Sequence, residues 1–182
     1  MTSAVIGHYA PDFELPGTDG SVHHLAKYLQ TFRAIGVVIM GNHCPYVQSY
    51  LDRLKCIQTE FFHQGVTLIG INPNDDNQCP EDSFDAMKSF VIEHQLNFPY
   101  LRDVTQDVAQ GFGAKWTPEV FLIDQAGLIR YGGAIDDSPQ TPDAVTVRYL
   151  RDAIEQLLAG RGEVGSTTAV GCPVKWRQPQ QQ

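Results

Sequence analysis

Ile35-Gly36-Val37-Val38-Ile39-Met40 runs without a break into Gly41-Asn42-His43-Cys44-Pro45, and this junction decides the fold. The first six residues are apolar and rich in β-branched side chains, the composition of a strand covered on both faces. Beyond the junction Val47, Tyr50, Leu51, Leu54, Ile57 and Phe61 recur at helical spacing up to Gly65, which predicts a helix. Pro45 suits the first helical position, where its missing N–H leaves nothing unpaired, and Cys44 falls at or beside the N-cap. A residue placed there lies on the sheet edge where α/β folds bind ligands. The free amides and positive dipole end of a helix's first turn favour a thiolate, so Cys44 is the candidate reactive group; a buried inert thiol is the alternative.

Working outward, Val66 to Ile71 reads as a second buried strand, Asn72 to Asn77 as a polar loop, and about Glu81 to His94 as a helix. Strand, helix, strand, helix implies parallel pairing through right-handed crossovers. Upstream, Ala10 to Pro16 followed by Gly17-Thr18-Asp19-Gly20 predicts a β-hairpin. Downstream, Phe98 to Leu101 reads as a brief extended piece, and Thr105 is expected to cap a short helix through Val108 and Phe112. Glu119 to Asp124, the turn at Ala126-Gly127 and Leu128 to Tyr131 predict a second hairpin. Thr141-Pro142 is expected to open a last helix with Val145, Tyr149, Leu150, Ile154, Leu157 and Leu158 on one apolar stripe, ended by Gly160. The domain is thus drawn over residues 1–160, with residues 161–182 as a flexible tail carrying Cys172 and a disordered end from Pro179.

A chain of 182 residues with 42% apolar content fits one domain. Thirteen Lys and Arg against 21 Asp and Glu give a formal charge of -8, which argues against a nucleic-acid partner. The longest apolar run, Ala34 to Met40, is too short for a bilayer, and Met1-Thr2-Ser3-Ala4 lacks a signal-peptide pattern, so no membrane role and a cytoplasmic address are expected. The oligomeric state is not readable. Cys44, Cys56, Cys79 and Cys172 form no C-x-x-C pair, and a site from His43, Cys44 and Cys79 lacks ligand spacing, so neither metal nor cofactor is called for. Asp136-Asp137 reads as part of a solvated loop.

Several separated blocks carry a family resemblance: Ala10-Pro11-Asp12-Phe13-Glu14-Leu15-Pro16 with Asp19-Gly20, Asn42-His43-Cys44-Pro45-Tyr46-Val47, Ile71-Asn72-Pro73-Asn74-Asp75, Thr117-Pro118-Glu119-Val120-Phe121, and Gly171-Cys172-Pro173-Val174-Lys175-Trp176. Together they resemble the thioredoxin-like redoxins grouped with the alkyl hydroperoxide reductase and thiol-specific antioxidant class. The resemblance implies a thioredoxin-like fold with an N-terminal hairpin extension. It also implies a thiol-dependent oxidoreductase or antioxidant-type protein acting through Cys44 on a disulfide or peroxide, with a protein thiol or glutathione as partner. Pro118 is by resemblance the cis-proline that faces the active cysteine. The Thr117 backbone would pair with an extended substrate, Trp116 would supply an apolar wall, and Asn42, His43 and Pro45 would complete the substrate side.

One departure bears on mechanism. Gly41 stands where such relatives commonly carry the first Cys of a C-N-H-C dithiol, so exchange needs a resolving cysteine from elsewhere. The pattern P-x-x-x-[T/S]-x-x-C of peroxiredoxins is not met either, with Val37 and Gly41 at its first two fixed positions. Cys56 lies twelve residues along the Cys44 helix, roughly 18 Å away at 1.5 Å per residue, and is read as packing. Cys79 and Cys172 both remain as resolving thiols, with Cys172 preferred because a flexible tail can deliver it and the resemblance covers its motif. The rival reading is a non-catalytic module that binds a partner peptide in the same groove.

Overall fold

The computed structural model describes residues 6–162 and 165–179. The predicted first hairpin forms from β1 (Glu14–Pro16) and β2 (Val22–His24), paired antiparallel, and α1 (Leu25–Thr31) leads into β3 (Ala34–Ile39). The chain continues through α2 (Pro45–Phe61), β4 (Val66–Asn72), α3 (Phe84–Glu93), β5 (Tyr100–Arg102) and α4 (Asp107–Phe112). It ends with β6 (Trp116–Thr117), β7 (Glu119–Asp124), β8 (Ile129–Gly133), α5 (Tyr149–Leu158), β9 (Gly165–Ser166) and β10 (Cys172–Pro173).

The main sheet has the order β5-β4-β3-β7-β8-β9. β3 lies parallel to β4 and antiparallel to β7, and β4 lies parallel to β5, so the sheet is mixed. Every residue of β3 is buried, as its unbroken apolar run requires of a strand with layers on both faces. Alternation along the strands sends Val38, Leu68 and Val120 into one core with Leu54, Tyr100 and Leu150. It sends Ile35, Val37, Ile39, Ile69 and Phe121 into a second core with Phe112. Burying a side chain such as Leu54 of α2 contributes about 1.5–3 kcal/mol and fixes the helix across the sheet. Among the described residues no helix is long and apolar enough to cross a membrane.

Four local expectations are corrected. Thr105 does not cap α4. Gln106 occupies the cap in a left-handed conformation (φ 68°), and its buried amide donates to Pro73 O at 2.7 Å and Lys175 O at 3.0 Å. The last helix starts at Tyr149 rather than Thr141, leaving Val145 outside it. Residues Pro142–Ala144 make only a 3₁₀ turn, and the Asp137 carboxylate takes the Thr146 N–H at 2.9 Å, which holds that segment out of the helix. Asp136 is buried, accepting from Tyr50 Oη at 2.9 Å and Arg53 at 2.7 Å; only Asp137 faces solvent. Cys56 is exposed on the outer side of α2, not packed.

The tail also departs from expectation. β9 adds in parallel to β8, and β10 pairs antiparallel with β6. Val174 is buried, its N–H donates to Lys115 O at 3.0 Å, and Lys175 O accepts from Asp75 N at 2.9 Å. The described part of the tail is therefore built into the domain, because distant loops satisfy its backbone groups. The end predicted to be disordered lies, for residues 180–182, outside the described residues.

Candidate active site

Cys44 is the N-cap of α2 (φ -71°, ψ 119°), with Pro45 opening the first turn as its fixed φ prefers. The Cys44 side chain is fully buried. Its Sγ lies 2.8 Å from Cys172 Sγ and donates to Thr117 O at 3.1 Å. The two cysteines stand 128 residues apart in sequence and meet because β10 pairs with β6 in the register Cys172↔Thr117 and Pro173↔Trp116. The Thr117–Pro118 bond is cis. Gly171 makes this approach possible: a Cβ on it would lie 2.7 Å from the Thr117 carbonyl carbon and 3.2 Å from Pro118 N. The tail thus takes the antiparallel place beside Thr117 that the resemblance assigns to an extended substrate.

Burial pushes the Cys172 thiol up to about 12, with the hydrogen bond and charge of Cys44 adding to the rise against smaller opposing effects of Lys175 and the Tyr46 N–H. Cys172 is therefore held protonated at neutral pH. Cys44 makes no side-chain bond to its own helix start.

The other predicted residues separate into two groups. Thr117 is buried and Trp116 half-buried on β6, where Trp116 lines a cleft with Phe112, Lys115 and Glu119. Glu119 braces this loop by accepting from Lys115 N at 2.7 Å and Trp116 N at 3.1 Å, and burial pushes its carboxyl above the usual range. Asn42 is not free to meet a substrate. Its N–H donates to Asp82 at 2.5 Å, its amide to Glu81 O at 2.7 Å, and its Oδ1 accepts from Tyr100 Oη at 2.7 Å. His43 turns toward Asp82, with Nδ1 at 2.5 Å from Oδ2.

Sequence reading missed Asp82, which is completely buried and accepts from four groups. Besides Asn42 and His43 these are Asn74 Nδ2 at 2.8 Å and Asn72 Nδ2 at 3.2 Å. Asn74 Oδ1 in turn accepts from Lys175 N at 2.9 Å, linking this network to the tail. Asp82 lies 40 residues from Asn42, and no periodicity or spacing marks such a partner. Gly41 abuts the network: a Cβ there would meet Asn74 Nδ2 at 2.5 Å and Asp82 Oδ2 at 3.2 Å.

Cys79 belongs to this side of the site, not to the Cys44–Cys172 contact. Its Sγ lies 3.9 Å from His43 Nε2, and burial first, then the charge of Asp82, pushes its thiol up. His43, Cys79 and Asp82 hold donor atoms of metal-ligand type within 4.8 Å of one another. The Asp82 oxygens and His43 Nδ1 are engaged with each other and with the asparagines, which leaves Nε2 and Sγ, short of the three or four protein ligands of a zinc site. A cleft of about 580 Å³ lies on the outer side of α2 among Arg53, Cys56, Arg148 and Arg151 and does not reach Cys44.

A cysteine at a β–α junction, facing a cis-proline loop on a mixed sheet with an N-terminal hairpin, defines a thioredoxin-like redoxin. Residues 6–132 match the AhpC/TSA family, and the chain belongs to it. The thiol:disulfide interchange protein DsbE of Pseudomonas aeruginosa is 29% identical over 134 residues, 72% of this chain and 67% of that protein. The thiol-disulfide oxidoreductase ResA of Geobacillus thermodenitrificans is 26% identical over 131 residues, 71% of this chain and 69% of that protein. Among solved structures, an uncharacterized conserved protein from Geobacillus kaustophilus superposes with TM-score 0.88 at 34% identity, covering 98% of this chain and 95% of that one. A hypothetical protein from Sinorhizobium meliloti 1021 does so with TM-score 0.88 at 33% identity over 98% of each chain. Both likenesses extend into the tail, which lies beyond the family match.

Proposed function

We propose that this protein is a thiol–disulfide oxidoreductase whose redox couple is Cys44 with Cys172, a tail cysteine taking the place of a neighbouring one in the motif. The observation that carries the reading is the 2.8 Å approach of the two sulfurs beside Thr117. Cys44 is assigned the attack from its place at the β3–α2 junction facing the cis-proline loop, and Cys172, on the tail strand, the resolving step. The Cys44 thiolate attacks one sulfur of a substrate disulfide, forming a mixed disulfide and expelling one substrate thiolate. Cys172 then gives up its proton and attacks the Cys44 sulfur. The second substrate thiol leaves, the Cys44–Cys172 disulfide remains, and two electrons have passed to the substrate. A protein thiol or glutathione restores the dithiol by the reverse exchange.

Cys44 is fully buried with β10 in place, so a substrate enters by taking the position of β10 against the Thr117 backbone. Disulfides are favoured over peroxides because DsbE and ResA are named for thiol–disulfide chemistry and the peroxiredoxin pattern is absent. Mass mapping after one equivalent of a mild disulfide oxidant tests the reading. Cys44 joined to Cys172 is expected, with the link lost in Cys172→Ser. Unlinked thiols would return the protein to the binding-module alternative, and Cys44 joined to Cys79 would reassign the resolving thiol.

A further inference from the structure

His43 Nδ1 faces the fully buried Asp82 at 2.5 Å, which directs an Nδ1–H to the carboxylate, so that in the neutral imidazole Nε2 is the acceptor. That acceptor points at Cys79 Sγ, 3.9 Å away and at the outer limit of a sulfur hydrogen bond. A nucleophile, a base in reach of its proton and a third group orienting the base are the parts of an activated thiol. None of the three belongs to the Cys44–Cys172 contact. We propose that Cys79, His43 and Asp82 form a second exchange site that takes small disulfides bearing amino groups.

Two features select that class of reactant. Cys79 is only 9% exposed, and the neighbouring His43 side chain is 30% exposed, so the opening admits a slim aliphatic disulfide and not a folded chain. Among the charges that bear most on Cys79, the carboxylates Asp82, Glu81 and Asp75 outnumber the cation Lys175, a field that attracts ammonium groups and repels carboxylates. In the step, His43 Nε2 takes the proton of Cys79, whose sulfur attacks one sulfur of R–S–S–R. The new Cys79–S–S–R bond forms as the R–S–S–R bond breaks, and the departing thiolate takes the proton from Nε2. Cys79 is oxidised to the mixed disulfide, and one RSH is released.

The test uses full-length protein carrying Cys44→Ser and Cys172→Ser, so its outcome is independent of whether those two residues form the redox couple. Cystamine, a dication, and dithiodiglycolate, a dianion, are reacted in turn at pH 7.5, and adducts are timed separately at Cys79 and at the exposed Cys56 by peptide mass mapping. With cystamine, Cys79 is expected to react at least about fivefold faster than Cys56 despite its burial, and with dithiodiglycolate that ratio falls below one. His43→Gln and His43→Asn each lower the Cys79 rate about tenfold or more and leave the Cys56 rate unchanged. Unfolding raises both rates together, so only a loss confined to Cys79 supports the site. Equal rates at the two cysteines, no preference for the cationic reagent, or a Cys79 rate that survives or rises in both His43 variants overturns it.

Discussion

Gly171→Ala isolates the contact on which the proposed chemistry rests. The added methyl carbon would lie 2.7 Å from the Thr117 carbonyl carbon, whereas non-bonded carbons settle near 3.5 Å, so β10 must retreat from β6 by about 1 Å. No core residue is altered, and the main sheet keeps its order. The two sulfurs start 2.8 Å apart and must close to about 2.05 Å to bond, so a retreat of that size opposes the step directly. A retreat of that size lowers the effective concentration of one thiol at the other, and with partial relaxation of the tail strand the equilibrium constant for closing the disulfide falls by about 10- to 100-fold. At about 30 mV per tenfold for a two-electron couple, the reduction potential of the pair should rise by roughly 30–60 mV. Equilibration in graded dithiothreitol buffers, followed by acid quench, alkylation and intact mass, measures it. A Gly171→Ala potential within about 10 mV of the parent would refute the reasoning.

Gly41→Cys, the substitution that writes a neighbouring dithiol into the motif, should destabilise the reduced protein by about 1–3 kcal/mol in urea, because its Cβ meets Asn74 and Asp82 in a packed polar network. Alkaline stability reports Cys172. The folded chain holds that proton to about 12 while the unfolded thiol loses it near 9, so above pH 9 the unfolded state binds fewer protons and stability falls as pH rises toward 12. Under reducing conditions Cys172→Ser should show a shallower fall in urea midpoint between pH 9 and 11. Tyr28 and Tyr131, both raised to about 12, contribute equally to the two proteins.

The β3–α2 junction was legible because its signals are local: a β-branched run, then apolar residues at helical spacing behind a proline. The hairpins were legible for the same reason. The misread starts of α4 and α5 were settled by partners distant in sequence or off the helix pattern: Gln106 answers to Lys175, and Asp137 holds Thr146. The N-cap position of Cys44 was legible from local pattern alone, whereas Cys172 was preferred as its partner on a tail read as flexible and on resemblance, and that tail is instead held by its amides at Asn74 and Lys115. Asp82 left no local trace. It reads as an ordinary acidic residue after a proline, and only the folding together of β3, β4 and the loop before α3 makes it the centre of four hydrogen bonds.

The pairing of β10 with the cis-proline loop makes the chain its own resident ligand. A tethered strand presents itself at a local concentration on the order of millimolar, so any incoming segment competes with a rival that never diffuses away. Under the proposed chemistry, selectivity falls on shape first: partners able to lie extended along Thr117 would exchange with the occupant, while disulfides locked inside rigid folds would be turned away at the door.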